Sequence, residues 1–511
     1  MRSASFPALA WLSCALLLAL DFASRLHLAT SLSLSKDELC YWDWSRDPGA
    51  SFALLPFASI RLACAFLGDT ALGVRLPFVL AATGAAAFLA AFTVALRLHP
   101  WVATAAVALF VATAWFHYVG SLAHPDAFLA LFWIAALWAM ARGTRAGARH
   151  PGAWILGAAL LAAAAALSKY TGFLLWPAWL LASLVRGRGR RPPWAWILAG
   201  TLVWIAAIAP ALLAIAGEGA HWVRATFRLS DLSRSVPWGA RVPALFAAPL
   251  IALFTPGYLV YAVGLLHALG HRRHPTSVWG WTGVMASLPI LAAAARGSIK
   301  GNWILPAFWG TLPRGASLFL AGAVRRTVLA LLLLAGFAST AALHFALVDP
   351  DGAAEIGARI PYAEMLDQSY EATVSPQELR HAATRTWLER AYEFHLSRGA
   401  VDSSAARAAS FDSSAAVLTN LYEIAYAARF YGSARPVHLV EDTRFSRTDL
   451  FLADEGFWPE RAVYVTVPGT RLPEPFFLRY GYLERVEDLV VPVGRLGGRT
   501  YDVWLCAREA R

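Results

Sequence analysis

The segment GVRLPFVLAATGAAAFLAAFTVAL, residues 73–96, decides the fold because it is almost wholly apolar and long enough to cross a membrane. Arg97 ends the apolar run. The whole chain is also rich in apolar residues: of its 511 residues, 58% are hydrophobic, and the mean hydropathy is +0.50. The composition therefore predicts a polytopic α-helical membrane protein rather than a soluble domain.

About eleven segments have the length and composition of membrane-spanning helices. They lie near residues 6–28, 73–96, 100–119, 125–141, 153–168, 170–185, 194–216, 243–269, 277–295, 303–321 and 327–347. The first is interrupted by Asp21 and is long, so we interpret it as an anchor rather than a cleaved signal peptide.

Short loops that carry arginine without carboxylates alternate along the chain with loops that carry carboxylates. The arginines of the first kind are Arg97, Arg142, Arg145, Arg149, Arg186, Arg188, Arg190, Arg191, Arg272, Arg273, Arg314, Arg325 and Arg326. The positive-inside rule assigns these loops, with the N-terminus, to the cytoplasm. The sequence thus predicts a multi-pass protein of the bacterial cytoplasmic (inner) membrane, with the other loops and the C-terminal domain outside.

The carboxylates divide the chain into two predicted domains. Residues 1–347 contain nine of the 33 Asp and Glu, and residues 348–511 contain the other 24. We predict a transmembrane domain over 1–347, whose first outer loop, 29–72, carries the acid pair Asp37 and Glu38. We predict that residues 348–511 form a soluble extracytoplasmic domain, in which strand-like segments alternate with helices, as in a small α/β layer. One of these helices is predicted to start at a capping box at Ser375 and to end before Gly399.

Ionisable and aromatic side chains collect at the predicted outer ends of the spans. The candidate site residues are Asp37, Glu38, Tyr41, Trp44, His124, Asp126, Lys169, His221, Arg224, Lys300, Asn302 and Trp303. In such a set, a carboxylate accepts the proton of an attacking hydroxyl or amine, cations hold a phosphate, and aromatic rings stack on a sugar. This pattern favours group transfer from a lipid phosphate. A transporter would place ionisable groups near the membrane midplane instead.

Simpler interpretations stay open for most of these residues. Asp37 and Glu38 are also consistent with solvated loop acids, Trp44 and Trp303 with interface aromatics, His124 with a helix start, Asp126 with a helix N-terminal charge, and Lys300 and Asn302 with caps. Lys169 favours a functional interpretation. Arginine is the usual cation in this chain, so a retained lysine indicates a need for a compact ammonium group.

Five motifs in order resemble one family of membrane enzymes. They are DELCYWDWS (37–45), FLGDTALGVRLPFVLA (66–81), HPDAFLALFW (124–133), LSKYTGFLLWP (167–177) and GNWILPAFW (301–309). Together they are similar to the bacterial glycosyltransferase family 39, which is related to the protein O-mannosyltransferases and to the aminoarabinose transferase of lipid A. All share the GT-C architecture. The resemblance covers residues 6–347 and extends more weakly to 417–432 and 444–452.

The resemblance implies a polyprenyl-phosphate-linked sugar as donor, an outward-facing site and an inverting displacement. It implies that Asp37 is the catalytic base, that Glu38 positions or binds the acceptor, and that Lys169 binds the donor phosphate. Asp126 would orient the first loop. His221 and Arg224 lie where the family often places a histidine and a phosphate-binding arginine.

The sequence departs from the family pattern at one place. Where the family has an acid, a histidine or lysine and two prolines, this chain has Ala53, Leu54, Leu55 and Pro56. Lys36 and Arg61 are the candidate substitutes for the lost charges.

The leading prediction is therefore an integral membrane hexosyl- or pentosyltransferase. It would move a sugar from a polyprenyl-phosphate donor to an envelope lipid, glycan or protein. The alternatives are a transporter or flippase of a lipid-linked saccharide, and a catalytically silent lipid-binding relative. No cofactor is required, although Glu218 with His221 would form a partial site for a divalent metal. The net charge of +11 does not indicate nucleic acid, because the excess of arginine over carboxylates lies in residues 1–347, the part of the chain that carries the predicted membrane spans.

Overall fold

The computed structural model describes residues 5–46, 53–145, 147–185, 194–217, 257–271, 277–296, 304–357, 387–440, 458–466, 468–470, 472, 474–492 and 498–508. The chain forms two compact units. The membrane unit consists of Met1–Ala29 and Asp47–His344, and the C-terminal unit consists of Thr30–Arg46 and Phe345–Arg511. The short segment that carries Asp37 and Glu38 therefore groups with the C-terminal unit.

The helices as far as residue 348 are, in chain order, α1 (Ser5–Ser31), α2 (Lys36–Trp44), α3 (Leu54–Leu67), α4 (Ala71–Ala95), α5 (Pro100–Val111), α6 (Ala114–Ser121), α7 (Pro125–Gly143), α8 (Pro151–Ser168), α9 (Leu175–Val185), α10 (Trp194–Gly217), α11 (Tyr258–Gly270), α12 (Ser277–Arg296), α13 (Pro306–Trp309), α14 (Leu312–Leu320) and α15 (Ala323–Val348). A 3-10 helix, Tyr170–Leu174, joins α8 to α9.

Six of these helices in the described residues are long and apolar enough to cross a membrane, namely α1, α4, α7, α8, α10 and α15. A seventh span results if α5 and α6 count as one, although they are bent by 71°. Helices α3, α11 and α12 are apolar but shorter, as is the stretch Tyr170–Leu184. The prediction of a polytopic α-helical membrane protein is confirmed.

Two predicted spans differ from the structure. The segment 100–119 is not straight, because it bends between α5 and α6, where the Thr113 hydroxyl bonds back to the Leu109 carbonyl at 3.0 Å. The segment 303–321 is not one helix, because α13 and α14 are separated at Gly310 and Thr311. The first half of the predicted span 243–269, as far as residue 256, lies outside the described residues.

Helix α7 is the centre of the membrane unit. In its most apolar stretch 78% of the residues are buried, against 17% in α1 and 11% in α15. It packs against α4 and α8. Small residues let helices approach closely in a membrane, and α7 supplies Ala127, Ala130 and Ala136, all buried. Leucines of α1 and α15, such as Leu12 and Leu334, are exposed, as expected for helices that face lipid.

The C-terminal unit contains a five-stranded mixed sheet. Its elements are α16 (Pro350–Gly357), α17 (Trp387–Phe411), β1 (Ala416–Thr419), α18 (Tyr422–Tyr431), β2 (Val437–Leu439), β3 (Arg461–Thr466), α19 (Glu474–Arg479), β4 (Tyr482–Pro492) and β5 (Gly498–Ala507). The strand order is β2-β1-β3-β5-β4, in which β1 is parallel to β2 and β3, and β5 is antiparallel to β3 and β4. The predicted α/β class of this domain is confirmed.

One predicted helix boundary in this unit is wrong. Helix α17 continues through Gly399 to Phe411 instead of ending before the glycine. A β-carbon at Gly399 would lie 3.3 Å from Val491 Cγ1. The glycine therefore serves the close packing of α17 against β4 rather than a helix stop. The predicted capping box at Ser375 lies outside the described residues.

Asp412 provides a pH prediction for this unit. Its carboxylate accepts hydrogen bonds from the Ser414 hydroxyl at 2.6 Å and backbone N–H at 2.7 Å, and it pairs with Arg461. These bonds lower its pKa to about 2, from an ordinary value of about 3.9. The stability that they supply is therefore complete above the ordinary pKa and is lost as the pH falls through the folded pKa.

We expect Asp412→Asn to lower the melting temperature near neutral pH, with a difference from wild type that shrinks as the pH falls below about 4. The measurement is thermal unfolding of both proteins in detergent from neutral pH down to about pH 2. A difference that is independent of pH would show that the carboxylate charge does not matter.

Candidate active site

The buried charges of the membrane unit centre on Asp126 and Lys169. The Lys169 ammonium donates a hydrogen bond to Asp126 Oδ1, and both side chains are 8% exposed. His124 accepts a hydrogen bond at Nδ1 from the Asp126 backbone N–H, at 3.2 Å, and the same nitrogen lies 3.6 Å from Asp126 Oδ2. Three of the predicted site residues therefore lie together, which we call the α7 cluster.

Local helix signals position Asp126 and His124. His124 is the N-cap of α7, Pro125 occupies the first turn, and Asp126 is the acidic residue of that turn. Proline suits this position because its missing N–H would have no partner there, and a carboxylate is stabilised by the positive end of the helix. The simpler interpretation that His124 starts a helix is thus correct. His124 also contacts Asp126, which in turn pairs with Lys169.

Lys169 lies at a break between two helices. Helix α8 ends at Ser168, Lys169 has an extended backbone, and the 3-10 helix begins at Tyr170. The Gly172 N–H donates to the Lys169 carbonyl at 2.8 Å. A β-carbon at Gly172 would lie 2.2 Å from the Ala165 carbonyl oxygen. Only glycine allows this tight reversal, and the reversal points the lysine at α7.

We expect Gly172→Ala to lower stability by about 1–3 kcal/mol, because the added methyl group has no space. Thermal unfolding in detergent measures the change. Gly157→Ala is the matched control, since it lies on α8 with nothing within 4 Å of its β-carbon. Alanine there is expected to stabilise the helix by about 0.5–1 kcal/mol. Equal melting temperatures for the two variants would contradict the packing argument.

A cavity lined mainly by aromatic rings borders the α7 cluster. Its lining consists of Phe110, Thr113, Trp115, Phe116, Val119, Asp126, Tyr258, Tyr261, Leu305, Pro306, Phe308 and Trp309. The Tyr258 hydroxyl is buried and has no hydrogen-bond partner among the described residues. A buried polar group without a partner is uncommon, and a ligand in the cavity would satisfy it. The cavity thus brings a carboxylate, a phenol and apolar rings together beside the α7 cluster.

The acid pair lies on a short helix rather than in an irregular loop. Ser35 is the N-cap of α2, and its hydroxyl accepts a hydrogen bond from the Glu38 N–H at 3.3 Å. Glu38 Oε2 accepts one from the Ser35 N–H at 2.9 Å. The four residues from Ser35 to Glu38 have the Ser-x-x-Glu pattern of a capping box, so this helix start was readable from the sequence.

The two acids differ in environment. Glu38 is buried, with 2% exposure, and holds the helix cap, whereas Asp37 is exposed. The interpretation of Glu38 as a solvated loop acid is therefore wrong. Asp37, Tyr41 and Trp44 follow the spacing of one helix face, and the rings of Tyr41 and Trp44 lie 5.9 Å apart between centroids. Three predicted site residues thus share one face of α2.

The structure adds a buried ion pair that the sequence analysis did not identify. Arg25 donates to Asp21 Oδ2 at 2.8 Å, and its Nη1 donates to the carbonyl oxygens of Phe116 at 2.7 Å and His117 at 3.2 Å. Gly120 leaves space for this guanidinium, because a β-carbon there would lie 1.9 Å from Arg25 Nη1. The pair stabilises the backbone after the bend between α5 and α6. Its signal in the sequence is the spacing of four residues between an acid and an arginine.

Histidines from three helices meet in the same region. His344 Nε2 lies 3.0 Å from His27 Nδ1, and His344 Nδ1 lies 3.4 Å from His117 Nε2 and 3.2 Å from the Ser24 hydroxyl. These contacts tie α15 to α1 and α6. Within the described part of the chain, no group of three or more metal-binding side chains is arranged to hold a metal ion.

Five of the predicted site residues lie outside the described residues, namely His221, Arg224, Lys300, Asn302 and Trp303. Glu218, the other half of the partial metal site considered above, lies there too.

Comparison with known proteins gives matches to one family model and to two solved structures of one protein. Residues 52–213 match the family model described as dolichyl-phosphate-mannose-protein mannosyltransferase, which covers less than half of the chain. The crystal structure of ArnT from Cupriavidus metallidurans in the apo state is similar with a TM-score of 0.63, at 15% identity, over 98% of both chains. The structure of the same protein bound to undecaprenyl phosphate gives a TM-score of 0.61, at 14% identity, over 96% of this chain and 97% of that one. A search of curated proteins finds no match.

The fold is therefore that of a polytopic GT-C membrane protein with a C-terminal α/β domain. Both matches agree with the resemblance that the five motifs predicted.

Proposed function

We propose that this chain is a membrane glycosyltransferase that takes its sugar from a polyprenyl-phosphate-linked donor. The observation that carries the proposal is the buried Lys169–Asp126 pair beside an aromatic cavity. It occurs in a fold that ArnT shares, and ArnT has been crystallised with undecaprenyl phosphate. An ammonium group that already has a carboxylate partner in the membrane unit can exchange that partner for a phosphate at little cost in desolvation.

The proposed reaction is a single displacement. Asp37 accepts the proton of the acceptor hydroxyl or amine, whose oxygen or nitrogen forms a bond to the anomeric carbon. The bond from that carbon to the phosphate oxygen breaks, and the electron pair leaves with polyprenyl phosphate. A cation at the leaving phosphate stabilises the developing charge, and Lys169 is our candidate for it. Attack opposite to the leaving group inverts the anomeric carbon.

The proposed orientation places this chemistry outside the cytoplasm. Arginine without carboxylates in alternate loops supports a cytoplasmic N-terminus and an extracytoplasmic C-terminal domain in the bacterial inner membrane. The acceptor is then an envelope lipid, glycan or protein.

The departure at residues 53–56 is compatible with this proposal. Ala53 is buried and directly precedes α3, which starts at Leu54. Of the two candidate substitutes, Arg61 is exposed on α3, whereas Lys36 is half-buried in the first turn of α2, next to Asp37. We therefore favour Lys36 as the replacement cation.

The test uses the purified full-length protein in detergent. Polyprenyl phosphates carrying different hexoses and pentoses are offered, with membrane extract as acceptor, and release of polyprenyl phosphate is measured. Parallel samples contain the matching nucleotide sugars instead of lipid donors. We expect release from at least one lipid donor and none from nucleotide sugars.

Specific binding of a lipid donor without release contradicts the proposal. It would favour the silent relative, for which the altered residues 53–56 are the best support, or a flippase. Movement of the intact donor between the leaflets of a vesicle then separates these two functions.

A further inference from the structure

We infer that Arg429, on α18 of the C-terminal unit, is a positioning residue that fixes the direction in which α2 presents Asp37. This inference rests on the function proposed above. It assigns the C-terminal domain a part in the reaction, beyond covering the acceptor entrance.

The principal contact is an ion pair between the two helices. Arg429 Nη1 lies 2.9 Å from Asp43 Oδ1, and the Asp43 side chain is completely buried, whereas that of Arg429 is 39% exposed. A buried carboxylate is costly unless a cation compensates it. The orientation of α2 that satisfies Asp43 is therefore strongly preferred over any other.

Two neighbours of Arg429 make further contacts with the same segment. The Leu34 N–H donates to the Tyr431 hydroxyl at 2.8 Å, directly before the N-cap of α2. The ring of Phe430 packs edge to face against Trp42, with centroids 5.0 Å apart. Three consecutive residues of the last turn of α18 thus hold both the start and the end of α2. Contacts at both ends oppose rotation and sliding of this nine-residue helix.

Because α2 is a helix, contacts that fix one of its faces also fix the direction of the face that carries Asp37. Trp42 and Asp43 share one side of α2 with Leu39, which is buried. Asp37, Tyr41 and Trp44 follow another face, at spacings of four and three residues. The side chains that contact α18 therefore differ from those that are predicted to meet substrate. Rotation about the helix axis is the motion that would move Asp37 most, and it is the motion that the Arg429–Asp43 pair opposes.

A purely structural role for the ion pair predicts a different result from a positioning role. A structural pair contributes to stability and leaves the turnover of the folded enzyme unchanged. Positioning appears in kcat, because misplacing a catalytic group by about 1 Å costs on the order of 100-fold. The donor KM is not expected to change, since the predicted donor residues Lys169 and Asp126 lie in the membrane unit.

The experiment compares Arg429→Gln, Arg429→Lys and Asp43→Asn with the double variant Asp43→Asn/Arg429→Gln in the release assay. We expect Arg429→Gln to lower kcat by about 100-fold, with the donor KM within about twofold of wild type. Lysine keeps the charge without the planar fork, so Arg429→Lys is expected to recover about tenfold of the loss. The kcat of the double variant should be no lower than that of the less active single variant, because both substitutions remove the same ion pair.

Arg461→Gln is the matched control, since it breaks an ion pair with Asp412 within the same unit. It is expected to keep the wild-type kcat. Hydrogen exchange of the α2 amides gives a second readout that does not need activity, and Arg429→Gln should accelerate it.

Wild-type kcat in Arg429→Gln overturns the inference, even if the variant is less stable. Unchanged exchange in α2 overturns it as well, because the anchor would then not hold the helix. If wild-type protein releases nothing from any donor, the proposed function fails first. The exchange data then report on the anchor alone, without a catalytic role.

Discussion

Asp37→Asn is expected to lower kcat by at least about 100-fold, which is the usual contribution of a positioned general base. Asn retains the size of the side chain but cannot accept a full proton. Asp37 is exposed, whereas its neighbour Glu38 is occupied by the cap of α2. The donor KM and the melting temperature should stay close to those of wild type, because Asp37 is exposed and asparagine has nearly the same size and shape. The measurement is release of polyprenyl phosphate at saturating donor.

Glu38→Gln is the comparison for this variant. Glutamine keeps an acceptor for the Ser35 N–H and is the other residue that a capping box accommodates. We expect a smaller loss of kcat than in Asp37→Asn. Equal losses would indicate that the two acids act as one unit. Turnover at the wild-type rate by Asp37→Asn would remove Asp37 as the base and leave the acid pair with a structural role only.

The second large effect is expected at the α7 cluster. Lys169→Met should destabilise the protein by about 3–5 kcal/mol, because it leaves the buried Asp126 carboxylate without its cation. Asp126→Asn should lower the stability by a comparable amount, because it leaves the buried Lys169 ammonium group without its carboxylate partner. The double variant Lys169→Met/Asp126→Leu removes both charges and is expected to recover most of the lost stability. It should nevertheless stay inactive, since the proposed phosphate ligand is absent.

Thermal unfolding and donor binding in detergent measure these two consequences separately. Arg398→Gln is the control for loss of a cation, because its pair with Asp402 is 4.0 Å long and about two-thirds exposed on both sides. Exposed pairs contribute only about 0–1 kcal/mol. Normal donor binding by the stable double variant would exclude Lys169 as a phosphate ligand. A single variant as stable as wild type would mean that water reaches the pair.

The positions of the membrane helices followed from the sequence because insertion depends on local apolarity. The predicted spans 125–141 and 153–168 correspond to α7 and α8 within a few residues. His124, Pro125 and Asp126 likewise indicated the start of α7 from the sequence, because the interactions that cap a helix act over only three or four residues. The polar C-terminal domain and its α/β class could also be predicted from local sequence. The domain follows from its density of charged residues, and the class follows from its short apolar strands.

Strand β4 shows where local patterns fail. Its sequence, YLERVEDLVVP, is rich in charges and is interrupted by a register shift between Val486 and Leu489. Such a shift breaks the alternation by which a strand is recognised. As the edge strand of the sheet it tolerates charges that a central strand would exclude.

The sequence by itself determined that this protein lies in a membrane, roughly where its helices begin and end, and which residue types its predicted site contains. Only the tertiary structure decided which of those residues meet. Lys169 reaches Asp126 across 43 positions, and Arg429 reaches Asp43 across 386 positions. Apolarity and capping act between near neighbours in sequence. A buried charge instead selects its partner by proximity in the folded protein, where the low dielectric makes an unpaired charge costly.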